Sequence, residues 1–324
     1  MRIIIHENNE ALSKWVAYYL AHKIKEHQPT VEKPFVLGLP TGSSPIGTYQ
    51  QLVSLYKEGK VSFEHVVTFN MDEYVGLSEN HPESYHHFMW QHLFSQIDIK
   101  EENVNILNGN AGNLEKECSD YEKKITMVGG IDLFLGGMGA DGHIAFNEPG
   151  SSLSSRTRIK TLTYDTRVAN SRFFGGDSNK VPKTALTVGV GTVMDAKEVL
   201  IIITGLNKSR ALQKVVEEGV NHMWTVSMLQ LHGHGMIICD REATMELKVG
   251  TVRYFEDIEK ESIPVIRHHY FLSLRDRTPG RLEHDKIAKS LMSEMMHEYQ
   301  EALGNLAASN PEPSDLHKWV EACG

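Results

Sequence analysis

The stretch that most constrains this chain runs from Ile131 to Ser155 and reads IDLFLGGMGADGHIAFNEPGSSLSS. Its apolar run, Ile131 to Leu135, gives way to Gly136, Gly137 and Gly139, and then to three groups able to trade protons, Asp141, His143 and Glu148. A short apolar run of this kind reads as a buried strand. In open parallel α/β sheets ligands collect where strands end at their carboxyl edge, so the expectation is a strand opening into an active site. A Gly-rich turn with merely solvated carboxylates is the plainer alternative.

The rest of the chain repeats the plan of strand, loop and helix. Arg2 to Ile5 is a β-branched run, and Leu12, Trp15, Val16, Tyr19, Leu20 and Ile24 recur at helical spacing. Phe35 to Leu39 leads into Pro40, Thr41, Gly42, Ser43, Ser44 and Pro45 before a helix near Ile46. Such a loop at a helix N-terminus offers N–H groups and a positive dipole end to a phosphate. An ordinary capped helix start accounts for it equally well. Val66 to Asn70 runs into Met71, Asp72, Glu73 and Tyr74, whose acids either face the same crevice or cap the next element. Helical patterns follow at Glu83 to Phe94 and Leu114 to Met127, then strands at Ala185 to Val188, Val199 to Thr204 and Met236 to Cys239. The strand after Val199 opens into Gly205, Asn207 and Lys208 at another helix start. Strands apolar on both faces, alternating with helices, predict an α/β fold: a doubly wound, mostly parallel, Rossmann-like sheet with helices on both faces.

Charge narrows the ligand. The formal net charge is -9 with a pI near 6.0, which argues against nucleic acid as a partner. Between Ser151 and Lys183, however, seven basic residues (Arg156, Arg158, Lys160, Arg167, Arg172, Lys180, Lys183) meet two acidic ones, Asp165 and Asp177. A cationic segment beside a candidate site suits a small anion; a solvated basic face is the alternative. No apolar run approaches the roughly 20 residues of a membrane span, and the run in MRIIIHENNE is too short for a signal peptide. Three scattered cysteines, Cys118, Cys239 and Cys323, suit free thiols, so the expected location is the cytoplasm.

Beyond about Glu261 the character changes. Two domains are expected, a catalytic one over 1–262 and an extension of unknown role over 263–324. In the extension Ile287, Leu291, Met295, Tyr299, Leu303 and Leu306 form a helical stripe, which predicts an amphipathic tail helix packed on the body or on a partner. His268 with His269, and His232 with His234, lack a carboxylate or cysteine at ligand spacing, so no metal site is predicted.

Five stretches carry a resemblance: LGLPTGSSP (Leu37 to Pro45), TFNMDEYVGL (Thr68 to Leu77), HPESY (His81 to Tyr85), LGGMGADGHIAFNEPGSSLSSRTR (Leu135 to Arg158) and NHMWTVSMLQLH (Asn221 to His232). Together they closely resemble the glucosamine-6-phosphate deaminase family, over Met1 to about Glu259. The resemblance implies conversion of glucosamine 6-phosphate and water to fructose 6-phosphate and ammonia, with no cofactor. It implies that Asp72 moves a proton between C2 and C1, and that Asp141, His143 and Glu148 open the ring. Ser43, Arg172 and Lys208 resemble phosphate ligands, with Gly42 and Ser44 lending backbone. The segment from about Leu162 to Ala185 resembles a mobile lid. Ser151, Arg158, Lys160, Thr161 and Tyr254 match a regulatory site for N-acetylglucosamine 6-phosphate found in hexameric members, so a homo-oligomer is expected, with a hexamer favoured.

Elementary chemistry agrees with these roles. Ring opening removes the anomeric hydroxyl proton while the ring oxygen gains one, and imidazole does both near neutral pH. One or both of the carboxylates of Asp141 and Glu148 would fix the imidazole tautomer and stabilise its cation. A C2 base at an unperturbed pKa of about 3.9 is weak, so a dry site that raises Asp72 is expected. A 6-phosphogluconolactonase carries a similar Asp-Gly-His motif but needs no C2 base, so NMDEY and FNEP favour the deaminase. A sugar-phosphate sensor would retain the phosphate loop and lose the acid-base set, whereas all four groups are present here.

Overall fold

The computed structural model describes residues 1–260; the expected tail over 263–324, with its helical stripe, its paired histidines and Cys323, lies outside the described residues. Among the described residues ten strands alternate with helices. Seven of the strands, β1 (Arg2–His6), β2 (Phe35–Leu39), β3 (Val66–Asn70), β5 (Val104–Asn105), β6 (Leu133–Gly137), β9 (Glu198–Ile203) and β10 (Gly235–Asp240), form one sheet in the order β1-β10-β9-β6-β2-β3-β5. Every pairing in it is parallel, and the fold is α/β and Rossmann-like, as expected.

Period-two burial explains the layers. Leu200 and Ile202 of β9 join an apolar cluster with Leu12, Val16 and Leu20 of α1 (Asn9–His27) and Leu52 of α2 (Ile46–Lys57). Their neighbours Val199, Ile201 and Ile203 join a second cluster with Ile125 of α4 (Leu114–Met127), Val193 of α6 (Val190–Met194) and Leu212 and Val215 of α7 (Ser209–Glu217). Side chains that alternate across a strand therefore bind helices to both faces, each buried Leu, Ile or Val contributing about 1.5–3 kcal/mol. Helix α1 begins where Asn8 accepts a hydrogen bond from the Ala11 N–H at 2.9 Å. It stops at Gln28, whose left-handed backbone turns the chain out.

Close approach at the sheet centre demands a glycine. A Cβ on Gly38 of β2 would lie 2.5 Å from the ring of Phe134 on β6, its register partner. Gly38→Ala should therefore cost about 1–3 kcal/mol through overpacking and lower the denaturant midpoint without changing the slope. An unchanged midpoint would show that Phe134 turns aside freely.

A second, antiparallel sheet sits after the carboxyl edge in the order β4-β8-β7, built from β4 (Asp72–Tyr74), β8 (Thr184–Thr187) and β7 (Arg158–Thr161). Met71 is the hinge between the sheets: its N–H bonds Leu39 O at 3.1 Å and its carbonyl accepts from Val188 N at 2.8 Å. The segment 162–185 carries α5 (Tyr164–Asn170) and a short 3-10 turn, Ser171–Phe173. Its Leu162, Phe174, Val181 and Ala185 close around Tyr74 and Phe146 in a third small core. A further helix, α3 (Tyr85–His92), starts on Ser84, which accepts from the His87 N–H.

Candidate active site

Strand order places the site. From β2 the chain moves outward through β3 to β5, whereas from β6 it moves the other way through β9 to β10. The direction reverses between β2 and β6, and the crevice beyond the carboxyl ends of such strands is where ligands bind in this architecture. Four loops leave that edge from the adjacent strands β9, β6, β2 and β3: they carry Lys208, the 138–148 run, the 40–45 run and Asp72.

Asp72 opens β4 opposite Thr187 and is 7% exposed. Burial, reinforced by the neighbouring charge of Glu73, pushes its carboxyl up to about 8. Glu73 spends its oxygens elsewhere, accepting the N–H groups of Tyr74, Tyr85 and His86 at 2.8, 3.1 and 2.9 Å, so it anchors the start of α3. One acid of this pair is structural, and the other is left as a buried carboxyl without those backbone bonds.

His143 and Asp141 form the second unit. The imidazole Nδ1 lies 2.5 Å from Asp141 Oδ1. Burial opposes charge on Asp141, but the hydrogen bond and attraction to His143 outweigh it and hold the carboxyl below its usual range. An ionised Asp141 can only accept, so Nδ1 carries the proton and Nε2 presents its lone pair. The ring lies directly over Gly139, where a Cβ would fall 2.3 Å from His143 Cε1. Glycine is required there for the imidazole to lie where it does.

Of the two carboxylates that the sequence offered to hold the imidazole, Asp141 does so, and Glu148 makes its hydrogen bonds elsewhere. It is 2% exposed, and its Oε1 accepts from Thr163 N at 2.9 Å, Thr163 Oγ1 at 2.9 Å and Thr166 Oγ1 at 2.5 Å. Its Oε2 is buried and has no hydrogen-bond partner among the described residues. The carboxylate is thus tied to the first turn of α5, which Thr163 also caps.

The phosphate candidates converge at the other end. Helix α2 starts at Pro45 with no side-chain cap bond, so the ordinary capped start fails and its first N–H groups are left open behind Gly42, Ser43 and Ser44. Lys208 Nζ donates to Ser44 Oγ at 3.1 Å. Burial, and then repulsion from Arg172, push the Lys208 ammonium down to about 8, with Asp240 opposing. Within the described residues neither Arg172 nor Lys208 forms an ion pair within 4 Å. One cation at an open helix N-terminus, with a second close enough to repel it, is an arrangement that can receive a dianionic phosphate. Arg172 lies in the 3-10 turn of the covering segment, its guanidinium 4.6 Å from the Phe173 ring.

The regulatory candidates are split. Lys160 Nζ reaches Ser151 Oγ at 3.4 Å, and Arg158 Nη1 donates to Asn147 Oδ1 at 2.8 Å. Thr161 ends β7 with its side chain exposed, and Tyr254, 61% exposed, stands on the helical segment 249–260. The hydrogen bonds of Ser151, Arg158 and Lys160 do not reach it. His232 proves structural: its Nε2 faces Ala196 O at 2.9 Å and its Nδ1 accepts from His234 N at 3.0 Å.

Two supporting residues escaped the sequence reading. Asn147 donates to Ile144 O and Val188 O, both at 2.9 Å. Thr225 donates to Asn147 O at 2.9 Å and accepts from Ile144 N at 3.2 Å. Together they clamp the loop between His143 and Glu148. The FNEP and NHMWTVS stretches contain them, but nothing in composition or period marks an asparagine or threonine as a clamp. A cleft between α4 and β7, lined by Cys118, Met127, Arg156 and Ile159 among others, lies outside the four loops. Its acid, Glu122, is committed to Arg156, Thr157 and Thr192 and offers no chemistry.

Residues 7–238 match the family described as glucosamine-6-phosphate isomerases/6-phosphogluconolactonase. The chain is similar to the glucosamine-6-phosphate deaminase of Borrelia garinii subsp. bavariensis, at 67% identity over 262 residues, 81% of this chain and 98% of the relative. It is also similar to the glucosamine-6-phosphate deaminase of Phocaeicola vulgatus, at 69% identity over 263 residues, 81% of this chain and 100% of the relative. A solved monomeric glucosamine-6-phosphate deaminase superposes with a TM-score of 0.72 at 42% identity, covering 75% of this chain and 98% of its own. A 6-phosphogluconolactonase from Thermotoga maritima shares the fold, with a TM-score of 0.57 at 21% identity over 74% of this chain and 98% of its own. On the four loops and these matches, the chain belongs to the glucosamine-6-phosphate isomerase and 6-phosphogluconolactonase family, on its glucosamine-6-phosphate deaminase branch.

Proposed function

We infer that the four loops are the working parts of a glucosamine-6-phosphate deaminase and that Asp72, Asp141, His143 and Glu148 carry its chemistry. The chain is an enzyme of amino-sugar metabolism, a hydrolytic deaminase and isomerase that converts D-glucosamine 6-phosphate and water to D-fructose 6-phosphate and ammonia. In our reading the phosphate seats on Gly42, Ser43, Ser44, Arg172 and Lys208, and its binding energy holds the reacting end in place. His143 Nε2 takes the anomeric hydroxyl proton, the ring oxygen gains one, and the pyranose opens. Asp141 stabilises the imidazolium so formed. Asp72 then removes the C2 proton and returns it to C1, while O1 gains a proton and the amine nitrogen gives one up, leaving an imine at C2 that water hydrolyses with loss of ammonia. Glu148, with one oxygen held by α5 and one unspent, couples this step to the covering segment 162–185, which acts as a lid.

The observation that carries the reading is Asp72, a buried carboxyl raised to about 8 at a strand end. A lactonase has no use for such a C2 base. Ammonia release from glucosamine 6-phosphate, run beside hydrolysis of 6-phosphogluconolactone, is the test. Lactone hydrolysis without ammonia release would overturn it.

Regulation is the finer part of the proposal. Arg158 and Lys160 present two cations on alternate positions of β7, beside Ser151, and Arg158 is one hydrogen bond from the Asn147 clamp. An anion bound there would pull on the active-site loop. N-acetylglucosamine 6-phosphate is the proposed activator. The exposed Tyr254 completes the site from a neighbouring copy in a homo-oligomer, a hexamer by preference, of a cytoplasmic enzyme of N-acetylglucosamine catabolism. Lys160→Glu should abolish activation while leaving the rate at saturating substrate within about twofold, since Lys160 touches none of the catalytic groups. A wild-type enzyme indifferent to that ligand, in rate and in binding, would end the idea.

A further inference from the structure

One buried acid at the same sheet edge has no part in the chemistry above. Asp240 ends β10 and is 5% exposed. Gly205, which ends the turn leaving β9, has φ of 89°, a backbone region that favours glycine. Both carboxylate oxygens of Asp240 accept the Gly205 N–H, at 3.0 and 3.1 Å, and Oδ1 also accepts from Ala243 N at 2.9 Å. The turn so gripped runs directly into the Leu206–Lys208 3-10 helix. Lys208 in turn reaches across to Ser44 at the start of α2.

We propose that Asp240 is a positioning residue for the phosphate end of the site, fixing the turn that carries Lys208 and supplying the buried countercharge that keeps its ammonium protonated. The proposal rests on the reading of Lys208 as a phosphate ligand. Burial and Arg172 both work against the charge on Lys208, and Asp240 is the group that favours it. A lysine with two adverse influences and one favourable one is sensitive to loss of the latter.

The neighbours do not confuse the pH dependence. His6 of β1 is the register partner of Asp240, and burial pushes it down to about 4, so it stays neutral across the range used. Burial pushes the Cys239 thiol far up, so it stays protonated. Arg241 is paired with Glu7 and Glu256, and Glu246 faces Ser209. Lys208 is therefore the group at this end that changes charge between about pH 6.5 and about pH 9.

The sign follows from the folded-state pKa. Phosphate prefers the protonated lysine, so wild-type affinity falls as pH rises through about 8. Without Asp240 the ammonium gives up its proton earlier, and the fall begins at lower pH. The probe is inorganic phosphate, titrated calorimetrically into the full-length chain at fixed ionic strength. Ionisation of phosphate itself cancels in the ratio of variant to wild-type Kd. Asp240→Asn should raise that ratio by roughly tenfold at about pH 9 and by less than about threefold at about pH 6.5. Asp240→Ser, which also removes the negative charge, should behave the same way and serves if the amide variant does not fold. In a Lys208→Arg background, where the cation cannot lose its proton, the ratio should be flat with pH.

A ratio independent of pH in the lysine background would reduce Asp240 to a structural group and overturn the proposal. If Lys208→Met leaves phosphate affinity unchanged, the reading of Lys208 as a ligand fails and takes the proposal with it. If Lys208→Met weakens binding but the Asp240 variants do not, the ligand reading stands and the proposal alone falls.

Discussion

Asp72→Asn should bind a sugar phosphate, yet its turnover should fall by about 10²–10⁴-fold and exchange of the C2 proton with solvent should be lost, the range expected when a general base is removed. The substitution replaces a carboxyl by an amide of the same shape in a site already dry, so the fold should tolerate it. Linkage makes it testable as more than tolerance. The folded-state pKa of Asp72, about 8, lies above its unfolded value, so the stability it contributes is present below that unfolded value and lost as pH rises through 8. At about pH 9 the wild type carries a buried charge that the amide does not, and Asp72→Asn should unfold at a higher temperature there. Gain of stability with loss of rate is the pattern of a group held at a cost for function. Near-normal turnover in this variant would remove Asp72 from the mechanism.

The same two ends of the site set the pH profile. Asp72 acts only when ionised, which gives kcat/KM a limb rising through about 8, while Lys208 acts only when protonated and gives a limb falling through about 8. Residual activity of Asp72→Asn should retain the falling limb and lose the rising one.

How much of this was legible depends on the kind of signal each element carries. β2, β3, β9 and β10 announce themselves because strands buried on both faces are continuous apolar runs, and the helix over Leu114–Met127 because its apolar stripe recurs at 3.6 residues. β7 was missed because Arg158, Ile159, Lys160 and Thr161 alternate half-buried with exposed positions on a short edge, where charge hides the strand. From sequence β4 is only the end of the preceding strand, since three buried residues have no period and its sheet is defined by a partner over 100 residues away in sequence, Thr184–Thr187.

Within the site, the close spacing of Asp141 and His143 made their pairing a local matter, and the structure realises it. Glu148 lies only a few residues further on, but its partners, Thr163 and Thr166, are fixed by where α5 packs, which no local pattern encodes. Asp240 shows the same limit from the other side. Beyond the strand read over Met236 to Cys239 it is one more polar residue, and its importance appears only when β9 and β10 are seen as neighbours with Gly205 beside it.

His143→Gln should slow the cyclic substrate by about 10²–10⁴-fold, while a substrate analogue already held in the open-chain form loses little. The expectation comes from the two ring nitrogens. Nδ1 is occupied by Asp141, so Nε2 is the atom left to take and return the proton during ring opening, a task a glutamine amide cannot perform. Proton transfer between C2 and C1 belongs to Asp72 and should survive. Asp141→Asn provides the companion measurement. An amide at this position can donate to Nδ1 and stabilise the opposite tautomer, with Nε2 protonated, which blocks its use as a base although every atom stays in place. Opening should then be slowed for the cyclic substrate and spared for the open one, as with His143→Gln. Equal slowing of both substrates by either variant would place the pair in a later step, imine hydrolysis, and leave ring opening to Glu148, whose free Oε2 is the other proton acceptor on the same loop.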